Sequence, residues 1–357
     1  MKYVFYITNH GYGHASRNVP IILELLKRNS DNLIYVKSDI QRIEFLKRNF
    51  GKKDRIIYCD GYSETGLVLK EGTVVPDLLK MRKLILKDIL DWDIFREEER
   101  KFLNEVEPDI VICDVTCWPI PIAKELGIKT LIIGNFTWAQ MYESFYEKDI
   151  WMPYFRNYIQ ADKAIWYEIH DCELEKYCDD YECVSLVSRA VNYNNVRKIK
   201  DTFNKKIVFI SLGASAEFEK KIDVSDLPYC FIITRGLNLY GENVFELPSE
   251  MINTPDYIAA SDYVIAKGGW STVAEILLLK KKCALVFRGE NAEDNNTKAI
   301  LGEKRQCVPL QGDDLQNIDI IIKKIDELEP EEYKDYTDDT VRICDIINDL
   351  IKKGENE

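Results

Sequence analysis

At 357 residues with 46% hydrophobic side chains, the chain exceeds one ordinary core and predicts two domains of roughly 150 to 200 residues each. Its formal charge of −13 excludes a nucleic-acid surface, which needs clustered excess Lys and Arg, but allows a small anionic ligand held by amides at a helix N-terminus. No stretch approaches the about 18 uninterrupted apolar residues of a spanning helix, and the opening "MKYVFYITNHG" has no secretory apolar core, so the expected location is cytoplasmic.

Along the chain, short apolar runs alternate with amphipathic stretches, the pattern of repeated β-α units around a mostly parallel sheet. In the first half the expected strands are Tyr3–Ile7, Leu33–Val36, Arg55–Tyr58, Ile110–Cys113, Thr130–Ile133 and Lys163–Trp166. Residues 76–109 read as one long helix that mixes Leu and Ile with Lys80, Arg82, Lys83 and Lys87. Such a helix can make peripheral membrane contact, but acidic residues follow within two turns, which favours a packed helix with a solvated face. The triplet "DWD" at 91–93 lies inside this helix and no D-x-D follows a strand, so metal-independent chemistry is expected.

The ten cysteines are scattered, several inside apolar runs, and read as small buried hydrophobes. His170, Cys172, Cys178 and Cys183 fall close together in "IHDCELEKYCDDYEC" but lack the paired C-x-x-C of a zinc site, so no metal is assigned. The polar stretch "RAVNYNNVRKIKDTFNKK", 189–206, reads as the connection between domains 1–200 and 201–357. The second set of strands is Ile207–Ser211, Cys230–Ile233, Asn243–Glu246, Tyr263–Ala266, Cys283–Val286 and Gln306–Pro309. After about residue 331 a terminal helix is expected, able to return to the first domain and frayed at its acidic end.

The first strand runs into "TNHGYGHASR", which places two of only three histidines, His10 and His14, in one turn with Gly11 and Gly13. The glycines let backbone turn sharply and approach a ligand, and His14 falls at the start of a helix. Ser16 stands where a dinucleotide fingerprint needs its third glycine or alanine, and no acidic residue closes the second strand run, which argues against NAD. The helix dipole disfavours a protonated imidazole there, leaving His14 able to take a proton. A general base also needs an orienting carboxylate, and Asp114 ends the strand in "PDIVICDVTCWP", on the same sheet rim.

In the second half, "KGGWSTVAE" follows a strand: Gly268 and Gly269 free the backbone, Ser271 and Thr272 offer hydroxyls, and a helix begins. This sequence assembles a phosphate cradle, and Glu275, one turn on, is placed to accept both hydroxyls of a ribose. The earlier turn "SLGASAE" offers further amides at Gly213, Ala214 and Ser215, and "RGENAEDNN" offers acids and amides suited to sugar hydroxyls.

Here "KGGWSTVAE" resembles the donor-site H-C-G-W-N-S…E pattern of two-domain GT-B glycosyltransferases, the group that includes plant UDP-sugar glycosyltransferases and the peptidoglycan N-acetylglucosaminyltransferase. The resemblance implies an α/β fold of two Rossmann-like doubly wound domains facing across a cleft. It implies diphosphate binding by Lys267, Gly268, Gly269, Trp270, Ser271 and Thr272, and ribose binding by Glu275. Lys267 replaces the usual histidine, and Asp294-Asn295 stands where the family has D-Q, the pair that meets the donor sugar. His14 and Asp114 match the family's His-Asp dyad. The first half, through "NHGYGHASR" and "IGNFTWAQMY", is similar to the glycosyltransferase-like domain of arabinokinases, although no kinase phosphate loop follows.

The expected function is that of an inverting glycosyltransferase that moves a sugar from a nucleotide-diphosphate sugar, UDP-linked, to an acceptor hydroxyl. The nucleotide sugar is a co-substrate and no further cofactor is expected; the acceptor is open. Two alternatives share the scaffold: a nucleotide-sugar hydrolase or epimerase, and a non-catalytic sugar-nucleotide sensor.

Overall fold

A computed structural model describes residues 1–70, 75–170, 172–213, 221–235, 237–248, 251–287, 291–329 and 335–354. The described chain divides into two compact units, one of Met1–Leu69, Pro76–Val187 and Asp338–Glu357, the other of Lys70–Val75 and Ser188–Thr337.

The first unit is built on seven parallel strands: β1 Lys2–Ile7, β2 Leu33–Ser38, β3 Ile56–Asp60, β4 Ile110–Asp114, β5 Lys129–Gly134, β6 Lys163–Tyr167 and β7 Tyr181–Val184, in the order β3-β2-β1-β4-β5-β6-β7. The central strands are near-continuous apolar runs because helices cover both faces of a parallel sheet; β1 and β4 are buried over almost their whole length. The strand order reverses between β1 and β4, and β1 pairs with β4 so that Ile7 lies beside Asp114. That reversal is where doubly wound sheets bind ligands, outside the carboxyl ends of their strands.

Between these strands run the helices α1 Gly13–Arg28, α2 Ile40–Phe50, α3 Leu78–Val106, α4 Ile120–Glu125, α5 Trp138–Glu143 and α6 Lys148–Tyr158. Helix α2 starts under an Asp39 cap that accepts from the Arg42 amide and stops at Gly51, whose φ of 62° suits a residue without a side chain. Strand β2 runs on to Ser38, further than expected, which brings Asp39 to its end after all. Its carboxylate is committed to the α2 cap and to Arg42, which also holds the carbonyls of Asn9 and Gly11 and so pins the glycine turn. Helix α3 buries Met81, Ile85, Asp88, Glu99, Leu103 and Val106 and leaves Leu79, Leu86, Leu90 and Ile94 exposed on its other face.

The second unit holds six parallel strands: β8 Lys206–Ser211, β9 Tyr229–Ile233, β10 Val244–Glu246, β11 Tyr263–Lys267, β12 Cys283–Val286 and β13 Cys307–Leu310, in the order β10-β9-β8-β11-β12-β13. This repeats the winding of the first sheet, with its reversal between β8 and β11. Ile222–Asp223 and Leu239–Tyr240 pair as a separate small ribbon.

Its helices are α7 Tyr193–Thr202, α8 Thr254–Ala260, α9 Trp270–Leu278, α10 Ala292–Glu303 and α11 Ile318–Asp326. The stretch read as a connection is therefore largely helix: Asn192 caps α7, and Val196 is the residue it buries, packed with Ala259 and Ala260 of α8. The chain ends in α12, Thr340–Gly354, which belongs to the first unit: the Tyr3 hydroxyl contacts Asn348 Oδ1 at 3.0 Å and Arg28 pairs with Asp345 at 2.7 Å. No helix among the described residues is long and apolar enough to cross a membrane.

Candidate active site

In the first unit, β1 ends at Ile7 and α1 begins at Gly13, so residues 8–12 make the turn. Gly11 has a φ of 74°, a left-handed backbone that favours glycine. His14 is the second residue of α1 and is buried. Its Nδ1 lies 2.8 Å from Oδ1 of Asp114, the last residue of β4, because the β1–β4 register sets the two strand ends side by side. A carboxylate only accepts, so this contact puts the ring proton on Nδ1 and the lone pair on Nε2.

The Asp114 carboxylate is fully buried and gathers further donors that the sequence did not announce. Arg17, one turn along α1, reaches Oδ2 through Nε at 2.8 Å and Oδ1 through Nη2, while its Nη1 donates to Asn135 Oδ1 at 2.6 Å. The Asn18 amide donates to Oδ2 and, at 2.8 Å, to the carbonyl of His14. Burial pushes the Asp114 carboxyl up, but the charges of Arg17 and His14 and their hydrogen bonds outweigh it and bring it to about 2. The next residue, Val115, has a φ of 65°, a strained conformation for a β-branched side chain.

A carboxyl held below its unfolded value contributes stability that is fully present above about pH 4 and is lost as pH falls through about 2. The contribution is on the order of 2 kcal/mol. Urea titrations across that window should show the loss in the native protein and not in Asp114→Asn, which has no carboxyl to protonate at this position.

His10 takes a different place. Its ring stands edge-on to Trp138 at 5.4 Å, and Gly66 packs against it so closely that a side chain at that position would clash. His14 stands edge-on to Phe136 at 5.8 Å, and Phe136 meets Trp138 at 5.1 Å. The two histidines of the turn thus lean on one aromatic segment, "NFTW", which follows β5 and starts α5 under a Thr137 cap. Gly13 opens α1 directly before His14.

In the second unit, Gly213 follows β8 with a φ of 85°, and Gly268 and Gly269 follow β11. The Lys267 side chain lies between these turns: its Nζ would stand 3.8 Å from a Cβ at either Gly213 or Gly269. A Cβ on Gly268 would come within 2.6 Å of the Phe287 ring, so only glycine fits there. Gly269 caps α9 and Ser271 and Thr272 lie in its first turn. Trp270 is buried in the core rather than open to a ligand, and its backbone amide donates to Glu293 Oε1 at 3.3 Å. The ring therefore packs the helix, while the amide already faces a carboxylate.

Glu275 is also buried, and its Oε1 accepts from Arg189 Nε at 2.9 Å. Arg189 further donates to the Ile252 carbonyl and, at 2.7 Å, to Thr254 Oγ1. Burial raises the Glu275 carboxyl, and the Arg189 charge offsets part of that rise. Asp294 is buried in the first turn of α10, its amide bonded to the Asn291 cap at 3.0 Å, whereas Asn295 is exposed. Ser215 and Ala214 lie outside the described residues.

Of the His170 cluster, His170 Nδ1 sits 2.5 Å from the Tyr167 carbonyl, Cys178 is buried and Cys183 exposed. No group of three or more His, Cys, Asp or Glu side chains among the described residues is arranged to hold a metal.

Residues 194–352 match the model of the glycosyltransferase family 28 C-terminal domain. The chain is 23% identical over 333 residues to L-arabinokinase of Arabidopsis thaliana, a match that covers 86% of this chain and 30% of that protein. The chain thus spans about a third of the length of that relative. Among solved structures it is similar to UGT73P12 of Glycyrrhiza uralensis complexed with glycyrrhetinic acid 3-O-monoglucuronide, with a TM-score of 0.65, 12% identity and 99% and 97% of the two chains covered. It is also similar to UGT89C1 of Arabidopsis thaliana complexed with UDP, with a TM-score of 0.62, 12% identity and 98% and 99% covered. The domain match is to a glycosyltransferase domain, and the solved structures share the fold. Two sheets wound in the same order give the chain the fold of these glycosyltransferase structures, and its residues 194–352 are similar to the family 28 C-terminal domain.

Proposed function

We propose that the protein is an inverting, metal-independent glycosyltransferase that uses a UDP-linked sugar and an acceptor hydroxyl. The observation that carries this reading is the buried pair of His14 Nδ1 and Asp114 Oδ1, 2.8 Å apart at adjoining strand ends of a doubly wound sheet. His14 Nε2 takes the hydroxyl proton as the acceptor oxygen attacks the anomeric carbon; the bond from that carbon to the diphosphate breaks on the opposite face. Asp114 holds the tautomer through Nδ1–H. The second unit supplies amides at 268–272 and the Lys267 charge for the departing diphosphate, at the positive end of α9.

The UDP assignment is drawn from the similar structures complexed with UDP and with UDP-2fluoro-glucose. In this reading, donor ribose exchanges with Arg189 on Glu275, and diphosphate exchanges with Glu293 on the Trp270 amide. Incubation with UDP-sugars, with and without a panel of alcohol acceptors, tests it: UDP release that requires an acceptor is expected. Complete UDP release without acceptor marks a hydrolase, and binding without release marks a sensor.

A further inference from the structure

A carboxylate paired with an imidazole alone is compensated only when the ring is protonated, so such a pair favours the imidazolium. The first unit adds a third charge. Arg17 is almost fully buried, reaches both oxygens of Asp114, and places Nη2 3.0 Å from His14 Nδ1. Because Oδ1 accepts from both, the two nitrogens are donors to one shared oxygen, not partners of each other. A proton added at Nε2 would set two cations in contact in a site with little water to screen them.

We propose that Arg17 is a positioning residue that acts through Asp114: it compensates the carboxylate and thereby keeps His14 neutral, with its lone pair on Nε2, at the pH where the protein works. The groups that face this cluster support the assignment. From α1 come Arg17 and Asn18, and from the end of β4 comes Asp114. From beyond β5 come Asn135, which fixes Nη1, and the neutral Phe136 ring edge. From β6 comes Tyr167, whose ring lies 5.2 Å from the guanidinium carbon and whose hydroxyl burial keeps protonated. The guanidinium thus has a fixed seat, and its charge lies against both oxygens of Asp114.

The inference rests on His14 as proton acceptor, but its test does not need turnover. With three histidines in the chain, ring-proton NMR resolves each, and the spectrum of His14→Gln assigns the one that matters. The native His14 is expected to titrate below the ordinary histidine value of about 6.5. Arg17→Gln should raise that midpoint by at least about one pH unit, and Arg17→Lys, which keeps the charge, should stay close to the native value. Unchanged ring-proton resonances of the other two histidines report that each variant is folded.

If transfer activity is found, the acid limb of kcat/KM should follow the same shift. A native midpoint above about 6.5 overturns the proposal whichever variants fold, as does an unmoved midpoint in folded Arg17→Gln. Neither result bears on whether sugar is transferred, so the two readings fail separately.

Discussion

His14→Ala should lower acceptor-dependent transfer by about 10²- to 10⁴-fold, the range of a positioned general base, while leaving the protein's thermal shift by UDP unchanged. The side chain lies in the first unit, and every group assigned to the nucleotide lies in the second, so the variant separates chemistry from binding. The fall should appear in kcat, because a base that acts only as the acceptor attacks is used in the transition state and not in the ground state. Asp114→Asn is expected to follow it closely: an amide can turn its NH2 toward Nδ1 and shift the proton to Nε2, the wrong tautomer for accepting from the acceptor. Full transfer by His14→Ala, measured as product per acceptor by mass spectrometry, would remove the residue from the mechanism.

On the donor side, the effects should have opposite signs. Lys267 is the cation between the two glycine turns, and Lys267→Met should weaken UDP-sugar binding by about 10- to 100-fold, the loss of one charge-assisted contact to phosphate. Glu293 already presents a carboxylate to the amide of Trp270 at the start of α9, where the diphosphate is placed. Glu293→Gln should therefore tighten the same binding several-fold by removing a like charge. Calorimetric titration with UDP reads both. Equal weakening by the two variants would show that the nucleotide does not occupy this turn.

Much of this was legible because parallel strands announce themselves. Twelve of the strands lie where apolar runs predicted them, to within a residue or two at each end. Winding order then places strand ends together regardless of their distance along the chain, which is why His14 and Asp114 were paired from the sequence. Strand β7 was missed: it is a short edge strand with one buried residue, and its polar sequence lacks any alternation to detect. Helix α7 was read as a connection for a like reason, since one buried side chain, Val196, leaves no stripe to see.

The charged partners were less accessible still. Arg17 on α1 and Arg189 in the polar stretch look like solvated side chains, and it is the fold that sets each against a buried carboxylate. A buried acid implies a compensating charge, but not which one. At Trp270 the motif implies a role for the backbone amide, and the structure buries the ring while that amide donates to Glu293.

The configuration of the product tests the central claim most directly. With a UDP-sugar linked through the α anomeric position, a single displacement driven by His14 predicts a β-linked product, read from the anomeric proton coupling by NMR. An α-linked product would require two displacements or a front-face path, and neither gives the His14–Asp114 pair the role assigned to it.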